Sequence, residues 1–328
     1  NWYDNLSDST EISILTSSPG EDAYSIFGHT AVRIYDPVEV PIVDWVFNYG
    51  TFSYSEDFYY NFMIGRLDYH LSALPFYQFQ RDYMDQGRGV KEQILNLTPA
   101  HIRQVAEYLS WNLQVENAVY SYEFFRDNCS TRTITLFQES LGEAFETNCK
   151  QSGKTFRDGL QPYISGSPWI AFGMDFILGP KSDKIMPPCG DAFIPDELSI
   201  ALSYMTVDGV ALLKENNEHF VVFDDGTWLP EFALDVPAIL MVFITCLMMI
   251  VTFRNRENCW FSSKLRGVVA IVSSLLGGLL LLMWTLTDHT DTWANINLLW
   301  TLPALVYFIP ISFRFKRQAG KIAALICI

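Results

Sequence analysis

Phe124-Phe125-Arg126-Asp127-Asn128-Cys129-Ser130-Thr131-Arg132 lies where one local pattern gives way to another. Before it, Val119-Tyr120-Ser121-Tyr122-Glu123-Phe124 is rich in aromatic and β-branched residues, the composition of a strand. After it, Ile134, Phe137 and Leu141 recur at helical spacing, and Gly142 stops the run. Asp127 and Asn128 are N-cap types, so the pattern predicts a helix with Cys129 in its first turn. The unpaired N–H groups and dipole of that turn favour an anion, and a thiol there ionises more readily. A nucleophile sits well at such a junction. A buried structural cysteine fits it too, and a neighbouring base decides between the two.

Five histidines are available: His29, His70, His101, His219 and His289. His101 falls in the first turn of a helix after its cap, and His219 follows the polar run Glu215-Asn216-Asn217-Glu218. His29 differs, because it enters a strand directly after Gly28, where another group can approach closely. From there Thr30, Val32 and Ile34 alternate with His29, Ala31 and Arg33 until Asp36-Pro37 breaks the strand. Asp44-Trp45-Val46-Phe47-Asn48-Tyr49 runs back, and the hairpin brings Asn48 or Tyr49 close to His29. A helix-start cysteine facing a strand histidine is a nucleophile–base arrangement of papain type, with His preceding Cys here.

The rest of the soluble part is read more coarsely. Ile12-Ser13-Ile14-Leu15-Thr16 is a strand ended by Ser17-Ser18-Pro19-Gly20. Residues 54–83 are aromatic-dense and read as helical, with a break at Leu74-Pro75 and a stop at Gln86-Gly87. Residues 90–97 read as a strand. Thr98-Pro99 then caps a helix with the apolar stripe Ile102, Val105, Ala106, Leu109 and Leu113. Residues 143–235 read as looped, punctuated by glycines and Pro187-Pro188. There is no internal repeat and no low-complexity tract.

Composition divides the 328 residues into 1–235, an ordinary globular mixture, and 236–328, mostly apolar runs. The second part carries eight Lys/Arg against Glu257, Asp288 and Asp291; with the chain at −15 overall, that +5 leaves −20 on residues 1–235. So acidic a domain repels phosphate backbones, which argues against nucleic acid as a partner. Residues 236–253 are uncharged and long enough to span a bilayer; 267–286 make a second run, 298–313 a shorter third, and 321–328 the opening of a fourth. Four Lys/Arg fall in 254–266 and four in 314–321, whereas 287–297 hold none. By the positive-inside bias, residues 1–235 and the 287–297 loop lie outside the cytoplasm. Polar groups where a helix enters lipid bind something or cap the helices, which makes His289, Asn295 and Asn297 candidate substrate contacts. No signal peptide is visible, and Asn1 reads as the first residue of a processed or trimmed chain. There is no CxxC pair, so no zinc site is expected. In an oxidising compartment Cys149 and Cys189 can pair and leave Cys129 reduced, or all three are free.

Four stretches, Ser25-Ile26-Phe27-Gly28-His29-Thr30-Ala31, Phe47-Asn48-Tyr49-Gly50-Thr51-Phe52, Leu95-Asn96-Leu97-Thr98 and Asp127 to Arg132, together resemble a bacterial lipoprotein N-acyltransferase family. Asp288-His289 and Asn295-Ile296-Asn297-Leu298-Leu299-Trp300 resemble the outward loop of that family's membrane bundle. The resemblance implies an α+β fold: a periplasmic, permuted papain-like catalytic domain over 1–235, and an α-helical transmembrane bundle over 236–328. Three spans and the start of a fourth are fewer than the family's five. It also implies a multi-pass protein of the bacterial inner membrane, which takes an acyl group from phospholipid through a Cys thioester. The acceptor is the N-terminal amine of a diacylated lipoprotein, and no cofactor is needed. Carried over by position, Cys129 is nucleophile and His29 base. Asn48 is chosen as the orienting group, because its amide accepts an imidazole N–H. The Cys129 N–H and the Asn128 side chain are the expected oxyanion donors, with Ser25, Tyr49 and Arg132 as substrate contacts within the same motifs. The rival readings are a membrane-tethered papain-like peptidoglycan amidopeptidase and a non-catalytic assembly factor or chaperone.

Overall fold

The computed structural model of the chain describes residues 1–20, 22, 24–52, 60–61, 64–66, 68–223, 233–254 and 259–301. The chain forms two compact units, one of residues 1–163 and 185–230 and one of residues 164–184 and 231–328. Composition alone puts the division near residue 235; the packing differs in grouping 164–184 with the C-terminal segment.

The first unit is α+β. Its described strands are β1 (Glu11–Ser17), β2 (His29–Asp36), β3 (Val43–Thr51), β4 (Asp68–Pro75), β5 (Val90–Leu95), β6 (Val119–Ser121), β7 (Phe145–Thr147), β8 (Met205–Val207), β9 (Val210–Ala211) and β10 (Leu213–Val222). Seven form an antiparallel sheet in the order β10-β5-β1-β2-β3-β4-β6, and β7-β8-β9 form a small second one. The helices are α1 (Phe76–Asp85), α2 (Pro99–Asn112), α3 (Cys129–Leu141), α4 (Phe156–Ile164), α5 (Pro168–Ile177), α6 (Pro195–Ala201), α7 (Val236–Arg254) and α8 (Cys259–Leu286), besides shorter turns; α5, α7 and α8 belong to the second unit.

Strand alternation gives the sheet two apolar faces. Ile12, Ile14, Val32, Ile34 and Phe47 pack with Val105 and Leu109 of α2 and with Leu136 and Phe137 of α3. Leu15, Ala31 and Val46 turn to the other face and meet Phe79 and Tyr83 of α1. Phe137 is fully buried, and truncating such a ring to alanine costs about 3–5 kcal/mol. That core holds α3 across β2 and β3 and so fixes where Cys129 lies.

The β2–β3 hairpin forms in the expected register, with Val32 opposite Phe47. Thr98 accepts from the His101 N–H, and α2 buries the expected stripe through Leu109. Two regions depart from the sequence reading. Within 54–83, residues 68–75 are strand rather than helix: Asn48 pairs with Ser72 and Thr51 with His70. Alternation outweighs the aromatic density there; Tyr60, Asn61 and Ile64 are helical as expected, and helix resumes after Pro75. Residues 53–59, 62–63 and 67 lie outside the described residues. Residues 143–235 are not simply looped. They supply three helices, the small sheet and β10, an edge of the main sheet. Those helices and small strands are too short to show a period, and β10 carries the polar, charged composition typical of an edge. A disulfide joins Cys149 to Cys189, with Cα atoms 5.1 Å apart, and Cys129 is free.

In the second unit, residues 267–286 of α8 are long and apolar enough to cross a membrane, with a mean hydropathy of 2.2; residues 236–251 of α7 form a shorter apolar helix. Helix α8 begins at Cys259, so helix reaches into the expected 254–266 loop. The expected segment beyond residue 301 and the one at 321–328 lie outside the described residues. Phe176 of α5 is buried with Leu280 and Leu298.

Candidate active site

Three elements of the first unit converge. Gly28 has φ +80°, and a Cβ there would meet the Ser17 carbonyl oxygen at 2.5 Å, so the turn that delivers His29 to the start of β2 requires glycine. On β3, Asn48 lies diagonally across from His29 on the same face, and its Oδ1 is 3.2 Å from His29 Nε2. A carboxamide oxygen accepts, so Nε2 carries the hydrogen and Nδ1 is the ring nitrogen left with a lone pair. Gly50, with φ +99°, fills the space between the partners: a Cβ there would sit 3.7 Å from His29 Cε1 and 3.9 Å from Cys129 Cβ.

Cys129 is the first residue of α3. Asn128 caps that helix, its Oδ1 accepting from the N–H groups of Ser130 and Thr131 at 2.9 and 3.0 Å. Thr30 and Ser130 join their hydroxyls at 3.0 Å and pin the helix start to β2. Burial pushes the Cys129 thiol up. His29 outweighs it through charge and a hydrogen bond, with help from the Thr30 backbone and the Ser130 hydroxyl, so the thiol is held below its ordinary value. The pair can exchange a proton and expose a thiolate.

Both side chains open into a cavity of about 260 Å³. Ser25, Arg88, Phe27, Phe124, Tyr69 and Tyr122 are among its walls, which are largely aromatic. Tyr122 stacks on Tyr69 with ring centroids 4.4 Å apart. Burial, then the neighbouring Cys129 and Tyr69, raise its hydroxyl well above the usual value, so it stays protonated.

Of the expected site residues, Cys129, His29, Asn48 and Ser25 come together; the Ser25 hydroxyl donates to the Asp22 carbonyl at the cavity wall. Three others have different work. The Asn128 amide donates to the carbonyls of Phe124 and Phe193 at 2.7 and 2.8 Å, so cap and amide together consume its side chain and no donor remains for an oxyanion. Among the described residues, the Cys129 N–H takes no acceptor and keeps that capacity. Tyr49 alternates to the other face of β3 and donates to Asn112 Oδ1 at 2.7 Å within the core. Arg132 pairs with Asp127 and lies over the Tyr120 ring at 4.2 Å.

The second unit gives its candidates structural partners. Asn295 Nδ2 donates to Phe176 O at 2.8 Å, and Asn297 Nδ2 to the same oxygen at 3.0 Å. Asn297 Oδ1 accepts from Trp300 Nε1. These amides close the C-terminal end of α5, while His289 precedes the short turn Thr290–Thr292. Arg88, Tyr69 and Tyr122 escaped the sequence reading as cavity residues. Only Arg88 carried a signal, a lone cation between Gly87 and Gly89.

A free thiol engaged by a strand imidazole, in a unit followed by a helix apolar enough to span lipid, defines a membrane protein with a thiol–imidazole site. The family model of the Lnb N-terminal periplasmic domain matches residues 1–160, and that of the Lnb transmembrane domain matches residues 233–326. The chain therefore belongs to the Lnb lipoprotein N-acyltransferase-like family. No curated protein and no solved structure matches it.

Proposed function

We propose that the protein transfers a fatty acyl group from phospholipid to the N-terminal amine of diacylated lipoproteins, with Cys129 as the acyl carrier. The first unit is read as a permuted papain-like domain on the periplasmic side of a bacterial inner membrane. One observation carries the reading: Asn48 fixes the His29 tautomer so that its free nitrogen serves the lowered Cys129 thiol.

In the first half-reaction His29 accepts the Cys129 proton, and the sulfur attacks the ester carbonyl carbon of the lipid. The Cys129 N–H meets the developing oxyanion at the helix start. The C–O ester bond breaks, His29 returns its proton to the departing lysophospholipid alkoxide, and the acyl group remains as a thioester. In the second half-reaction the lipoprotein amine attacks the thioester carbonyl. The C–S bond breaks, the amine's proton passes to His29 and then to the sulfur, and an amide leaves. Asn48 acts as a positioning residue throughout. Water would hydrolyse the thioester, and the aromatic walls at Phe27, Phe124, Tyr69 and Tyr122 limit its access. A membrane-spanning unit suits a reaction whose donor and acceptor both reside in lipid.

Mass spectrometry of lipoprotein N-termini tests this reading in cells lacking the protein and supplied with wild type or Cys129→Ala. A third acyl chain is expected only with wild type, at equal protein levels. Amide-linked acyl chains restored by Cys129→Ala would overturn it and favour the assembly-factor reading.

A further inference from the structure

Arg88 is the only arginine or lysine among the described walls of the Cys129 cavity. It is only 7% exposed. Its Nε and Nη2 donate to the Ser18 carbonyl at 2.8 and 2.7 Å, Nη2 also to Ser17 Oγ at 3.0 Å, and Nη1 to Gln86 Oε1 at 3.1 Å. The guanidinium carbon lies 4.9 Å from the centre of the Tyr83 ring. Every one of these partners is neutral. Burying a cation is costly, and the usual compensation is a carboxylate. Two half-buried guanidinium groups of this unit follow that rule: Arg33 meets Asp44 and Glu92, and Arg132 meets Asp127. Arg88 has no carboxylate partner among the described residues. The cavity's described walls also contain no Asp or Glu, although residues 1–235 carry a net −20. One Nη1 hydrogen is not engaged by these four bonds, and no described carboxylate neutralises the charge.

We propose that Arg88 is an anion-binding residue of the cavity, taking a phosphodiester oxygen of the glycerophospholipid donor while the acyl chain lies along Phe27, Phe124 and Phe193. The assignment rests on the acyl-transfer reading for its choice of lipid. The chemistry itself, a charged guanidinium N–H donating to a phosphate oxygen, does not. The hydrogen bonds to Ser17 and Ser18 preset the guanidinium at the end of β1, so little side-chain entropy is lost when the anion arrives.

Two measurements on the purified full chain in detergent micelles test it. The first follows iodoacetamide alkylation of Cys129 with glycerophosphoglycerol, inorganic phosphate or glycerol present. Glycerophosphoglycerol is expected to protect wild type, glycerol is not, and the half-protecting concentration should rise on the order of tenfold or more in Arg88→Gln. Arg88→Lys keeps the charge and should recover part of the loss. No protection of wild type, or equal protection in Arg88→Gln, overturns the proposal; protection by inorganic phosphate alone overturns the lipid source. The second compares acylation of Cys129 by phosphatidylglycerol and by diacylglycerol of the same chains. Wild type should prefer the phospholipid by about tenfold, and the ratio should fall towards one in Arg88→Gln. An equal loss on both donors marks a merely structural arginine and also overturns it. Protection without an acyl adduct from either donor would sink the acyl-transfer reading while leaving the anion site standing.

Discussion

Asparagines serve both units, and they serve them differently. In the first, Asn48 gives its carbonyl oxygen to a histidine ring that faces a cavity and a free thiol. In the second, Asn295 and Asn297 spend their amides on the Phe176 carbonyl, and Asn297 turns its oxygen to Trp300. A polar residue where a helix enters lipid must be satisfied, and backbone ends satisfy it as well as a ligand does. Asn128 makes the same point inside the first unit, beside Cys129 and yet wholly occupied as a cap and a tie. What separates a site from a scaffold here is where the polar atoms are spent.

The comparison is broken most severely through His29. His29→Ala should slow acylation of Cys129 by on the order of a hundredfold or more, the scale of a lost general base. The pH profile of iodoacetamide alkylation should move with it. Burial raises the thiol, and His29 with the Thr30 backbone and the Ser130 hydroxyl together hold it below its ordinary value; without His29 burial remains, and the inflection should shift to higher pH. An unmoved inflection would remove His29 as the sulfur's partner. Asn48→Ala should act more weakly, about tenfold on the acylation rate, because it frees the tautomer and leaves the base present. A change equal to that of His29→Ala would mean that Asn48 holds the hairpin rather than the ring.

Cysteine pairing gives a contrast inside the first unit. Removing the 149–189 disulfide should cost about 4 kcal/mol by the chain-entropy estimate, seen as a lower thermal midpoint, while folded Cys149→Ser protein keeps its acylation rate. Alkylation of unreduced, unfolded protein should label Cys129 and spare Cys149 and Cys189. The smallest effects are expected in the second unit. Asn295→Ala and Asn297→Ala should each lower stability by about 0.5–1.5 kcal/mol, the scale of one lost hydrogen bond with the other amide still on the Phe176 carbonyl, and change acylation less than about threefold. A tenfold loss at full expression would restore them as substrate contacts.

Periodic segments were legible in the sequence. Thr30, Val32 and Ile34 announced β2, Ile102 to Leu109 announced α2, and Asn128 announced the start of α3. The pairing of Cys129 with His29 and Asn48 followed from those three, because a hairpin register and a helix cap fix positions within a few ångströms. The two sides of β3 were harder to separate: Asn48 and Tyr49 were equal candidates by distance, and only the pleat sends one to the site and the other to the core. Residues 68–75 were misread because aromatic density masked alternation. Arg88 stayed hidden because neutral partners and a lack of carboxylates among its described neighbours are properties of three-dimensional packing, and no run of residues spells them. The second unit's amides showed where polarity falls and not what it binds.

The central claim is that Cys129 carries the acyl group. Purified protein mixed with phospholipid and no amine acceptor should gain one fatty-acyl mass on the Cys129 peptide, removable by hydroxylamine as a thioester is, and a diacylated lipopeptide with a free amine should discharge it into a triacylated product. An adduct on any other residue, or undiminished lipopeptide acylation by Cys129→Ala, would contradict it.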